Sequence, residues 1–247
     1  MLTNLQIGRI AALATDVLAS PLFARRQATP DQLHQYGLVF WPVQVALVAG
    51  LPALVATLCD AIAEVALSGD NVRQEICLQQ ALRSILPAAN DELGSGHDPL
   101  GCMRHDFFAA QLQERSGLDP AHLRENWVRG GANAQLAGEM RRAFASLESG
   151  LHMIYVVDTL APHFLAHQET LFGSCAEPGA TIHPRRHQEH ALHVSPNAAE
   201  FTGLVSLEMQ RLETFFRLWR ATADQLHHRM NLAVASDAPS QHDALRA

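Results

Sequence analysis

Lysine is missing altogether: all 18 basic residues of this 247-residue chain are arginine. A chain without lysine forms no Schiff base with a carbonyl substrate or pyridoxal, and it lacks the lysine of a Walker P-loop, whose GxxxxGK[ST] string is also absent. No GxGxxG follows a candidate strand, so nucleotide-driven chemistry is not expected. Cysteine is sparse, with Cys59, Cys77, Cys102 and Cys175 forming no CxxC pair. In a chain this large they read as reduced thiols of a cytoplasmic protein. Basic tracts are absent too, and with a formal charge of -7 the footprint of a nucleic-acid binder is lacking. The N-terminus has no basic region leading into a clean apolar core, so no signal peptide is expected.

Charge is also missing from Tyr36 to Cys59, 24 residues long enough to cross a bilayer. Pro42 and the Gly50-Leu51-Pro52 break divide that run, and the next charges are Asp60 and Glu64 rather than an arginine-rich flank. The expectation is two buried helices and no membrane span.

What is present is helical periodicity and a hydrophobic content of 48%. Ile7 to Phe23 shows apolar pairs three and four apart. Thr29-Pro30-Asp31 reads as a cap opening a helix to about Gly50, and Pro52 starts another. Asp70 or Asn71 caps a helix running to Pro87 or a little beyond. Glu92 to Gly96 reads as a loop, Leu100 to Ser116 as a helix closed by Gly117, and Leu118-Asp119-Pro120 as the cap of a short one. Asn133 to Phe172 is helical with a bend at Pro162, and a stripe from Phe201 to Leu226 marks a last long helix. No strand, repeat or linker stands out. The expected fold is an all-α single domain of about seven to nine helices over residues 1–234, with a disordered tail at 235–247.

One helical stretch gathers ligand chemistry. In HQEHALHVSPNAAE, residues 187–200, His193, Asn197 and Glu200 share a face at i, i+4 and i+7, with Glu189 one turn before. Nitrogen and oxygen donors turned into a helix bundle are how di-iron and di-manganese carboxylate sites are built. Against this stands a solvated face in a protein with 14 histidines. His183, His187 and His190 have the same spacing beside Arg185 and Arg186, where cations disfavour a metal. Asp60 and Glu64 form an acid pair, with Glu64 a further candidate ligand. His163 and His167 read as surface residues near a bend, and Tyr36 as core or cavity lining.

The string NDELGSGHDPLGCMRHDFF, residues 90–108, resembles the N-x-x-E-G-x-G … H-x-x-L-F signature of the iron-containing redox enzymes of the heme-oxygenase-like superfamily. The order of elements agrees over roughly residues 20–230. The resemblance implies a heme-oxygenase-like (TenA/PqqC-like) bundle with iron held by Glu92, His105, Asp158, His193 and Glu200, with Asn197 a weak neutral member. Asp158 enters through GLHMIYVVD, residues 150–158, where the family carries a carboxylate beyond a tyrosine. The chain departs from the pattern at three ligands: Asn197 stands for an aspartate, Glu200 for a histidine and Asp158 for a glutamate. Three extra residues lengthen the loop before His105.

The implied activity is that of a non-heme iron, dioxygen-activating oxidase or oxygenase acting on a small amine, amino acid or fatty-acid-like substrate. The cofactor would be one or two iron ions, and the partners a small molecule and dioxygen, with a homodimer allowed. The alternative is the same fold without metal, as a cofactorless enzyme or a non-catalytic binding protein. A thiaminase-like hydrolase would need an activated cysteine, and none of the four has a recognisable partner. Heme oxygenase itself would have only His34 as proximal ligand.

Overall fold

A computed structural model describes residues 3–69, 71–92, 104–174 and 208–236 of the chain. Among the described residues there are nine helices and no strand. They are α1 (Asn4–Leu18), α2 (Pro21–Ala24), α3 (Pro30–Ser68), α4 (Val72–Glu92), α5 (Arg104–Ser116), α6 (Pro120–Asn126), α7 (Ala132–Phe144), α8 (Leu147–Ser174) and α9 (Met209–Ser236). The all-α expectation holds. The last stretch, 237–247, lies outside the described residues.

Helix α3 is the axis of the bundle, packing against α4, α5, α7 and α9 along its length. Thr29 caps it reciprocally with Gln32, Pro30 occupies its first turn, and Gly69 ends it in the left-handed region at φ 68°. It differs from expectation in being one helix of 39 residues with Pro42 and Pro52 inside it. By length and composition it could cross a membrane, and one third of its most apolar 18-residue window is buried. Its first half supplies much of the core through Leu33, Tyr36, Val39, Phe40 and Trp41.

The passage through Pro42 has a visible cause. A proline cannot donate to the carbonyl four residues before it. That carbonyl, on Leu38, instead accepts from the Val128 backbone N–H at 2.9 Å. The neighbouring Val39 carbonyl accepts from Asn133 Nδ2 at 2.9 Å, and the same amide donates to the Val128 carbonyl at 2.9 Å. Gln225 on α9 completes the junction, accepting from the Asn133 backbone N–H at 3.0 Å and donating to the Gly130 carbonyl at 3.2 Å. Gly131 is needed there: its φ is +95°, and a Cβ would lie 2.7 Å from Gln225 Nε2.

Elsewhere the chain breaks more often than its periodicity suggests. The first helix stops at Leu18, and Ser20 caps the separate α2. The stretch expected to be helical from Asn133 to Phe172 is split after Phe144. Helix α4 runs on through Pro87 to Glu92, so Glu92 ends a helix rather than opening a loop.

Candidate functional site

Helices α8 and α3 run antiparallel. The Tyr36 ring lies 6.2 Å from that of Phe172, and a Cβ on Gly150 would come within 2.5 Å of Leu54 Cδ1. With an equal rise per residue on both helices, Asp158 stands opposite about residue 47 of α3. Helix α4 folds back from the turn at Gly69, which brings the Glu92 backbone opposite about residue 48. On α5, Phe108 packs 5.9 Å from Phe40, and Leu112 would meet a Cβ on Gly37 at 2.6 Å. His105, in the first turn of α5, therefore stands opposite about residue 43. Along α3 these three backbone positions lie within about two helical turns of each other.

Asp158 is the expected ligand whose side chain is described, and its chemistry is unusual. The residue is half-buried, yet Oδ2 is shut off from solvent and has no hydrogen-bond partner. Burial pushes its carboxyl well above the ordinary carboxylate range. Pro162, four residues on within α8, removes the amide that would have bonded the Asp158 carbonyl. The same residue thus presents a buried carboxyl oxygen without a partner and a main-chain carbonyl without its helical donor. A group that is anionic and buried needs a cation, a donor or a proton.

Among the described residues, no three of His, Cys, Asp and Glu come together as metal ligands. His193, Asn197 and Glu200 lie outside the described residues, as do His183, His187 and His190, and Glu92 and His105 are placed by backbone only. Other candidates fall elsewhere. Asp60 and Glu64 are exposed near the far end of α3, well beyond the level of Asp158, which removes Glu64 as a ligand there. Tyr36 is fully buried in an aromatic cluster with Phe40, Phe108 and Phe172, and its hydroxyl has no partner. Burial raises its phenol strongly. His34 packs edge-on against His122, with ring centroids 5.5 Å apart.

His167 is a correction: it is buried rather than on the surface, and its Nε2 meets the Arg25 carbonyl at 3.1 Å. His163 is exposed, as expected.

Sequence reasoning also missed His152, which is wholly buried on α8. Its Nε2 accepts from the Glu208 backbone N–H at 2.8 Å, so Nδ1 carries the proton and donates to the Glu148 carbonyl at 2.7 Å. Only neutral imidazole can do both. It fixes the residue that leads into α9. Arg211 reinforces that junction by donating to Ser149 Oγ at 2.8 Å. A lone histidine in an apolar run was the available signal, and nothing in its spacing told a cap from a ligand.

No family model, curated protein or solved structure matches the chain significantly.

Proposed function

We propose that the chain is a non-heme iron, dioxygen-activating oxidase or oxygenase on a heme-oxygenase-like bundle, acting on a small amine, amino acid or fatty-acid-like substrate. The observation that carries this reading is Asp158, a buried carboxyl with an unpartnered oxygen. It stands at the level along α3 reached by Glu92 and His105. In this reading Glu92, His105, Asp158, His193 and Glu200 would hold the iron, with Asn197 as a neutral donor. Three carboxylates and two imidazoles fit one or two ferrous ions. Iron in such a set supplies the capacity to bind and reduce dioxygen.

The chain's own residues contribute position, charge and exclusion of water. Asp158 is held on a helix whose neighbours Val156, Val157 and Leu160 are buried in the core, which keeps bulk water from its carboxyl. Burial raises the Asp158 carboxyl above the ordinary carboxylate range, and a bound cation would favour its ionised form, so loading the site would be coupled to proton release. His152 holds the entry to α9 and so fixes one end of the segment that carries His193, Asn197 and Glu200. The protein works in the cytoplasm in this reading, with a small molecule and dioxygen as partners, no nucleic acid and no membrane span.

Metal analysis of the full chain produced with added iron tests the proposal. One or two irons per chain are expected, lost in Asp158→Asn and His193→Ala and retained in His187→Ala. Iron-free wild-type protein would refute it. That outcome would favour the metal-free reading, in which Asp158 is a neutral buried acid on the same fold.

A further inference from the structure

The junction of α2, α8 and α9 carries a second polar cluster, away from Asp158. Arg25, just after α2, donates through its guanidinium to Asn231 Oδ1 on α9. Guanidinium has no acceptor, so this bond fixes the orientation of the amide. Asn231 Nδ2 must then face His227 Nε2, 2.9 Å away, and donate to it. Neutral His227 therefore carries its proton on Nδ1. That Nδ1 and Arg25 Nε are both buried and both without a partner. Two unsatisfied N–H donors thus sit one hydrogen-bond link to either side of a single amide. A buried donor is costly if nothing accepts from it.

The surrounding charges point to the missing acceptor. No carboxylate pairs with Arg25 or with the exposed Arg26 among the described residues. Asp224, the acid nearest His227, is already held by Ser20 Oγ at 2.6 Å and Arg220 Nε at 2.8 Å. His228 adds a further titratable ring on α9, and from α8 the His167 ring lies against the Arg25 carbonyl. The site is rich in donors and short of acceptors.

We propose that Arg25 and His227 bind a small oxyanion, a carboxylate or a tetrahedral phosphate- or sulfate-like group, through Arg25 Nε–H and His227 Nδ1–H. The anion would satisfy both donors and offset the unpaired arginine charge. Burial, then Arg25 and His228, lower the His227 pKa, and Asp224 acts against them. The neutral ring is also the form that the Asn231 bond requires, because a proton on Nε2 would face the Asn231 amide N–H, so the anion binds neutral His227 through Nδ1–H. The inference is independent of the iron proposal.

The test is thermal melting of the full chain at pH 8 in sodium sulfate, in sodium acetate, and in sodium chloride at equal ionic strength. A saturable rise in Tm in sulfate or acetate over chloride is expected. Arg25→Gln and His227→Ala should abolish it. Sulfate also stabilises proteins generally by exclusion from their surface. A rise that does not saturate and survives in both variants, or no rise at all, would overturn the proposal. Should Arg25→Gln fail to fold, His227→Ala decides, because that ring is half-buried at the edge of α9.

Discussion

Asn133→Ala gives a stability change whose size follows from a short account of partners. Asn133 is fully buried, and its Nδ2 donates to the carbonyls of Val39 and Val128, each at 2.9 Å. Truncation leaves both carbonyls without that donor, at about 1–3 kcal/mol each where water cannot enter. Against this, Asn133 Oδ1 is itself buried without a partner, and removing it recovers a cost of the same order. The net is a loss of about 2 kcal/mol plus a small cavity term, or roughly 4–8 °C in Tm for a chain of this size. Asn133→Asp separates donor chemistry from mere filling. It keeps the shape but turns carboxylate oxygens toward two carbonyls, so it should be less stable than the alanine variant at neutral pH. Thermal and urea unfolding of the three proteins should rank wild type above Ala above Asp. An alanine variant within about 0.5 kcal/mol of wild type, or an aspartate variant at least as stable as it, would refute the account.

Two other perturbations probe the axis helix and the candidate site. Gly50→Ala places a Cβ 2.0 Å from Cδ2 of the fully buried Phe144, so α3 and α7 must separate. The overpacking costs about 1–3 kcal/mol, and alanine's helix propensity returns roughly 1 kcal/mol, so denaturant unfolding should show a net loss. Asp158→Asn, compared with wild type in chelator, should show a pH-dependent gap. The folded pKa of Asp158 lies above its unfolded value, so wild-type stability is intact below the ordinary carboxylate range and falls as pH rises through the folded value. The variant should therefore match wild type near pH 4 and melt higher near pH 8. A gap that does not change with pH would count against a buried acid at this position.

How much of this was legible in the sequence depends on whether the cause was local. Thr29-Pro30, Asp119-Pro120 and Gly117 mark their helix ends as expected, because capping is decided by the residues themselves. The continuity of α3 through two prolines was not legible. At Pro42 the remedy is a donor 86 residues away, Val128, together with the amide of Asn133. The burial of His167 likewise depends on a carbonyl 142 residues distant in sequence. Asp158 was reached through a resemblance in motif order. Neither its burial nor its unpartnered oxygen could be inferred from the letters around it.

The prolines make the same distinction within the structure. At Pro42 the orphaned carbonyl of Leu38 is bonded by Val128, and the helix simply continues as scaffold. At Pro162, among the described residues, no donor from outside α8 takes the place of the missing amide at the Asp158 carbonyl, and the carboxyl of that same residue also lacks a partner at Oδ2. Unsatisfied buried polar groups are costly, and a carboxyl, which must keep its proton or find a cation, is a costlier case than a neutral amide oxygen such as Asn133 Oδ1. The missing repair is shared with Pro52, so what sets Asp158 apart is the coincidence, on one residue, of a main-chain carbonyl without its helical donor and a buried carboxyl oxygen without a partner. That coincidence is the physical reason to test Asp158 first.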